Sequence, residues 1–236
     1  MSFELSEKTI AAGYAVKEFA HIGSTNAEAL QDTAKGEVGS VWYVTKDQRS
    51  GRGRRGREWS TQEGNLAATL LLIHEYPLEL AATLSFVAGL SLAEAIETLL
   101  PDTTTNFQLK WPNDVLADGA KLSGILLESS ILKDGRKALV IGIGVNVLHV
   151  PEGVPYAVTS LQQVGYSQDA EQLLRALAER FAINYAIWSD GQGTDAIRML
   201  WLKRAARLGE TIRVQSGGEM IEGVFTSIDS QALLLA

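Results

Sequence analysis

From Phe107 to Val147 the chain reads FQLKWPNDVLADGAKLSGILLESSILKDGRKALVIGIGVNV, a series of branched and apolar stretches broken by short polar links. Links such as Asp118-Gly119 and Asp134-Gly135 suit hairpins, because a parallel connection needs a crossover of a dozen or more residues. The spacing predicts an antiparallel meander with strands over 107–111, 115–116, 123–130 and 137–147. A meander of this length needs further layers to cover it. Residues 40–48, SVWYVTKDQ, read as another strand, and GNLAATLLLI (64–73) as a central one, apolar on both faces.

Helical spacing supplies the cover. Leu84, Val87, Ala88, Leu92, Ala95, Ile96 and Leu99 form one stripe that stops near Pro101. Leu174, Leu177, Ala178, Phe181, Tyr185 and Trp188 form a second, and residues 195–207 a third helix capped by Thr194 or Asp195. Ser24-Thr25-Asn26, with Glu28 three residues after Thr25, has the pattern of a capping box at a helix start. From Gly209 the helical period disappears, and short strands around a Gly217-Gly218 turn predict a small β module. The expected fold is α+β: a mixed β-sheet flanked by helices over residues 1–208, followed by a module over 209–236.

Composition narrows the function. The 236 residues suit one large domain with a small appendage, and the absence of cysteine excludes a disulfide framework or a thiolate metal site. His21, His74 and His149 lie apart without ligand spacing, so no resident metal is expected. The N-terminus lacks a basic segment followed by an apolar one, and apolar runs such as 66–73 are short for a bilayer. A cytoplasmic protein without a membrane partner is expected. A net charge of −7 opposes general nucleic-acid binding, since phosphate neutralisation dominates such affinity.

Against that acidic background, DQRSGRGRRGREW (47–59) carries five arginines and three glycines. Gly51, Gly53 and Gly56 satisfy the G-x-G-x-x-G string, but a dinucleotide site needs a helix straight after it, and polar loop residues follow here. A nucleic-acid arm conflicts with the net charge and has no interleaved aromatics beyond Trp59. By itself the segment reads equally as a solvated charged loop or as a loop that closes over another anion.

Four pieces in order, STN (24–26), GRGRRGREW (51–59), KWPND with KLSGIL (110–114, 121–126) and GIGVNV (142–147), resemble the biotin protein ligase family over roughly residues 22–236. The resemblance implies a catalytic domain of the class II synthetase type and an SH3-like C-terminal barrel. Bifunctional members carry an N-terminal DNA-binding domain; the 23 residues before Ser24 are too few for one, so the ligase-only class without a DNA partner is expected. The chain ends at Ala236 where relatives continue, which implies a truncated or minimal C-terminal module.

The implied reaction joins biotin to ATP as biotinyl-5′-AMP, with Mg²⁺ arriving on ATP, and then passes biotin to a lysine of a biotin carboxyl carrier protein. By resemblance, Lys121, Arg52, Arg54 and Asp114 are catalytic. Ser24, Thr25, Gln48, Gly51, Arg52, Arg54, Lys121, Gly124 and Gly142 bind biotin, with the glycines allowing close approach. Arg54, Trp59, Asn113, Lys121, Asn146 and Tyr156 bind ATP. For Ser24 and Thr25 plain N-capping is the alternative, for Gly142 and Gly144 a bulge in a core strand, and for Tyr156 an ordinary loop position. Lys110 is the expected ion-pair partner of Asp114, and Asp114→Asn is expected to impair transfer more than adenylation. Arg49, Arg55 and Arg57 are expected to face solvent or to close the loop. Rival readings are a lipoate ligase or octanoyltransferase and a non-catalytic biotin sensor. Either a monomer or a homodimer is compatible with the sequence.

Overall fold

The meander forms as its spacing predicts. A computed structural model describes residues 2–37, 39–216, 219–229 and 233–235. In chain order the elements are α1 (Glu7–Ala11), β1 (Ala15–Phe19), α2 (Thr25–Thr33), β2 (Val41–Thr45), β3 (Gln48–Arg52), β4 (Glu58–Thr61), β5 (Leu66–His74), α3 (Leu78–Ala82), α4 (Leu84–Leu99), β6 (Phe107–Lys110), β7 (Asp114–Ala117), β8 (Ala120–Ile131) and β9 (Lys137–Val145). They continue with α5 (Ala170–Trp188), α6 (Thr194–Leu202), β10 (Thr211–Ser216), β11 (Glu219–Val224), β12 (Ser227–Ile228) and β13 (Leu234–Leu235).

Strands β6 to β9 run antiparallel, and Asp118-Gly119 turns between β7 and β8 with both residues at positive φ (48° and 80°). The complete sheet has the order β1-β2-β5-β9-β8-β7-β6, so β5 lies inside it, as its two-sided apolarity requires. One pair, β1 with β2, is parallel and is joined through α2, which makes the sheet mixed. Helix α1 and strand β1 have no counterpart among the expected elements. At five residues each they are too short to show a period.

The strand expected over 40–48 is interrupted after Thr45. There the Thr45 hydroxyl accepts the amide of Asp47 (3.0 Å), a local turn that competes with the ladder. The arginine segment, read as a loop, is instead a two-stranded hairpin, β3 with β4, joined by a short 3-10 turn at Arg54–Gly56. Helix α6 ends at Leu202, short of the expected Arg207, and its N-cap is Gly193 without a side-chain bond, rather than Thr194 or Asp195. The expected Gly217-Gly218 turn lies outside the described residues. Among those described, the C-terminal strands pair as two ladders, β10 with β11 and β12 with β13, and do not close into a barrel.

The larger core fills the sheet face covered by α4, α5 and α6. It includes Leu66, Leu70, Val87, Ile96, Leu174 and Phe181. Together α3 and α4 make a helical run long and apolar enough by composition to cross a membrane, longer than the sequence reading allowed, but most of it is buried in this core. On the opposite face, α2 covers a smaller cluster of Ala29, Val41, Tyr43, Leu71, Ala138 and Val140. Because that cluster is small, part of this face remains uncovered.

Beside the smaller cluster, Lys17 reaches Asp32 (3.0 Å) and Glu37 (2.6 Å), while the Tyr43 hydroxyl donates to Asp32 (3.0 Å). Lys35 above all, with Lys17 and Tyr43 adding to it, outweighs the opposing effect of burial and lowers the Asp32 carboxyl to about 2. A carboxyl depressed on folding stabilises above its unfolded pKa of about 3.9, and that stabilisation is lost as pH falls towards 2. Asp32→Asn should therefore cost about 1 kcal/mol near neutrality, after allowance for solvent screening, and only a small part of that near pH 2. Thermal melts of both proteins at pH 7 and pH 2.5 check this: the gap should narrow sharply in acid (about pH 4 to 2).

Candidate active site

The uncovered face owes its shape to alternation. Along β9, Leu139, Ile141, Ile143 and Val145 point into the larger core. The intervening positions are Ala138 and Val140 under α2, Gly142 beneath Asn26 at its first turn, and Gly144 beneath Trp59. Neighbouring strands extend this bare floor, with Gly124 of β8 opposite Gly144 and Leu126 opposite Gly142. A cleft of about 340 Å³ stands on it. Its walls are the start of α2, the β3–β4 hairpin, the β6–β7 turn, Lys121 and Tyr156, with Arg213 to Gln215 arriving from the C-terminal segment.

One wall is a buried chain of donors and acceptors. The Thr25 amide and hydroxyl both donate to Gln48 Oε1 (2.9 and 3.0 Å). Thr69 Oγ1 lies 2.7 Å from Thr25 Oγ1 and 2.6 Å from Asn26 Oδ1. Asn26 Nδ2 donates to Glu128 Oε2 (2.8 Å), and Arg52 Nη2 lies 3.4 Å from Glu128 Oε1. Thr25, Asn26, Gln48 and Thr69 are all buried, so this network is held in a fixed geometry. Ser24 is the N-cap of α2, its Oγ accepting the Ala27 amide (3.3 Å). The capping box is not built as expected: Ser24 occupies the cap, and Thr25 directs its hydroxyl to Gln48.

The facing wall is cationic. Lys121 Nζ lies 2.8 Å from Asp114 Oδ1 and sits 5.5 Å from the Trp59 ring centroid and 5.7 Å from that of Tyr156. Arg54 Nη1 donates to Asn113 Oδ1 (3.4 Å), and Asn113 Nδ2 donates to the Ile125 carbonyl (2.6 Å). Desolvation first, then the neighbouring charge of Arg55, lowers the Arg54 pKa from its ordinary value. An ammonium between two ring faces with one carboxylate partner is held in a defined position.

Several expectations change here. Asp114 pairs with Lys121 rather than with Lys110. A Cβ on Gly142 would collide with the Asn26 amide, and one on Gly144 with the Trp59 indole; one on Gly124 would come within 3.2 Å of the same indole. One on Gly51 would collide with the Gln48 amide and the Trp59 carbonyl. These glycines thus admit the protein's own side chains, which in turn shape the cleft. Asn146, expected at the nucleotide, is buried and donates to the Thr159 carbonyl (3.1 Å), outside the residues that line the cleft. The remaining expected residues, Ser24, Thr25, Gln48, Arg52, Arg54, Trp59, Asn113, Asp114, Lys121 and Tyr156, all line it.

Asn26, Thr69, Glu128 and Gln215 were not anticipated. Asn26 stood in the quoted STN triplet without a role, and Glu128 shares a face with Gly124 and Leu126 by simple alternation. Nothing local marked Thr69 or Gln215, because their positions depend on long-range packing.

A mixed sheet carrying a rigid polar pocket beside a clustered set of cations has the build of a ligase that activates a carboxylate. Residues 20–146 match the biotin/lipoate A/B protein ligase family, and the chain belongs to it. It is 42% identical to the biotin–[acetyl-CoA-carboxylase] ligase of Paracoccus denitrificans, over 92% of this chain and 91% of that protein. It is 31% identical to the enzyme of the same name from Mycobacterium tuberculosis, over 98% and 87%. Among solved structures, the biotin protein ligase of Aquifex aeolicus in complex with biotin and ATP superposes with a TM-score of 0.75 at 28% identity, covering 92% of this chain and 88% of that one.

Proposed function

We infer that this protein is an ATP-dependent biotin protein ligase. It forms biotinyl-5′-AMP and pyrophosphate, then transfers biotin to a lysine of the biotin carboxyl carrier protein of acetyl-CoA carboxylase or a related carboxylase. The observation that carries this is the pairing within one cleft of a buried amide–hydroxyl network with a caged ammonium. A ureido group offers two N–H donors and one carbonyl acceptor, which Thr25, Gln48, Asn26 and their neighbours can match in kind.

In the first step a biotin carboxylate oxygen attacks the α-phosphorus of ATP, and the bond to the pyrophosphate oxygen breaks. Negative charge accumulates on the phosphate as this happens, so fixed cations accelerate the step. In this reading Lys121 and Arg54 supply those cations, one steadied by Asp114 and two rings, the other by Asn113. In the second step the acceptor lysine nitrogen attacks the acyl carbon, an amide forms, AMP leaves, and the nitrogen loses its proton. Mg²⁺ arrives with ATP; among the described residues no group of three His, Cys, Asp or Glu side chains could hold it alone. We place the enzyme in the cytoplasm, with its carrier substrate.

Asp114 pairs with Lys121, so Asp114→Asn should slow adenylation and transfer alike, each by about tenfold, rather than transfer more than adenylation. Single-turnover measurements of the two half-reactions check this. The overall reading is tested by ATP–pyrophosphate exchange: exchange that depends on biotin supports it, and exchange that depends on lipoate or octanoate instead would overturn it.

A further inference from the structure

Arg55 differs from the other arginines of the hairpin. Its backbone is left-handed (φ 59°), a conformation that a non-glycine residue adopts only where its surroundings enforce it. Its guanidinium donates to the side-chain Oε1 of Gln215 (3.3 Å) and to the Gln215 carbonyl (3.2 Å), both on β10. That strand has a firm base. Phe225 and Ile228, just beyond β11, are buried in the larger core, and Arg198 Nη1 on α6 donates to the Ile228 carbonyl (3.2 Å). Arg213 Nε donates to Glu222 (2.6 Å) and ties β10 to β11.

At its base the hairpin is held by backbone bonds from Arg49 and Ser50 to Ile22 and Gly23 (2.9 and 2.8 Å). At its tip, the side-chain bonds to other segments are those of Arg52 to Glu128, Arg54 to Asn113 and Arg55 to Gln215, among the described residues. The Arg54–Asn113 contact is long at 3.4 Å and would be given up when Arg54 engages a phosphate. The Arg55 bonds run to a different segment of the cleft wall and involve neither Arg54 nor Asn113, so they can persist through that exchange.

We propose that Arg55 is a positioning residue: latched to Gln215 of the C-terminal strand, it fixes the hairpin tip and so aims Arg54 at the phosphates of ATP. The consequence for Arg54 rests on the ligase reading above, whereas the latch is a property of the free protein. It gives the C-terminal segment a part in the nucleotide step through one side-chain contact.

The test uses the full-length chain with Gln215→Lys, which repels Arg55, Gln215→Glu, which gives it an ionic partner, Arg55→Ala, and the Arg55→Ala/Gln215→Lys double variant. Gln215→Lys and Arg55→Ala should each raise KM for ATP by about tenfold while KM for biotin moves less than about threefold. Hydrogen exchange at the amides of residues 52–57, without ligand, should quicken by about tenfold in both. In Gln215→Glu the amides of residues 52–57 should exchange within about threefold of the wild-type rate, and the double variant should be no worse than the worse single one. Multiplying effects in the double variant, or a Gln215→Glu protein whose hairpin amides exchange as fast as those of Gln215→Lys, would overturn the latch. If the wild type lacks biotin-dependent exchange, the ligase reading fails, and the amide exchange rates still decide whether the latch exists.

Discussion

Replacing Lys121 with methionine should lower the rate of biotin-dependent ATP–pyrophosphate exchange by about two to three orders of magnitude, the usual effect of removing one preorganised charge from a phosphoryl or acyl transition state. Methionine keeps the length and apolar stem of the side chain, so Trp59 and Tyr156 retain a neighbour of similar volume. What disappears is the ammonium 2.8 Å from Asp114. The loss has two parts. The pentavalent phosphate lacks its counter-charge, and the Asp114 carboxylate is left unpaired in the cleft, where it repels the incoming triphosphate. Biotin affinity should change much less, because the Thr25–Gln48–Asn26 network lies on the other wall. Arginine at this position should not restore the rate, since a wide guanidinium does not fit a point-charge site between two rings. Exchange kinetics at saturating biotin, with calorimetric titration of biotin alone, separate the two effects.

Gly142→Ala should produce the second large effect, and on biotin rather than on phosphate. The added methyl meets the buried Asn26 amide, which is held at the same time by Thr69 and Glu128. Asn26 sits in the first turn of α2 and is buried, so it cannot swing into solvent as a surface side chain would. Displacing it breaks a satisfied polar network and overpacks the sheet, together worth about 2–3 kcal/mol. Biotin binding should weaken by about thirtyfold or more, and the melting temperature should fall by several degrees. Calorimetry and thermal denaturation on the same sample check both. Gly144→Ala is the instructive comparison: its methyl meets Trp59, which belongs to the hairpin rather than to a core helix. That variant should cost less stability and act more on the nucleotide.

Much of the fold could be read from the sequence because its signals are local. Asp-Gly turns fix hairpins, and the two-sided apolarity of 66–74 places a strand inside the sheet. Helix α4 shows its stripe and stops before Pro101. The glycines of the floor came from the resemblance, with a bulge in a core strand as the alternative; in the fold they alternate with Ile141, Ile143 and Val145. The occupants of the space those glycines leave were not legible. Trp59 and Asn26 come from segments far apart in the chain, and no periodicity connects them to Gly144 and Gly142. Asn146 stood in a well-marked motif, yet its amide is used by the Thr159 carbonyl. A motif names residue types at a spacing, whereas hydrogen-bond partners depend on which loop packs against it. The arginine segment was legible as a charged device but not as a hairpin, because arginine and glycine carry little strand preference. Its bonds to Gln215 join residues 160 positions apart, beyond any local signal.

If this cleft makes an acyl-adenylate from biotin and delivers it to lysine, the adenylate should stay with the protein until an acceptor arrives. The direct measurement is to incubate the protein with biotin, ATP and Mg²⁺, remove free ligands by gel filtration, and analyse the protein fraction by mass spectrometry before and after adding a biotin carboxyl carrier domain. The prediction is biotinyl-5′-AMP co-eluting with the protein, then its replacement by AMP and a carrier biotinylated on one lysine. A protein fraction that carries no adenylate with biotin, but does carry one with lipoate or octanoate, would contradict it.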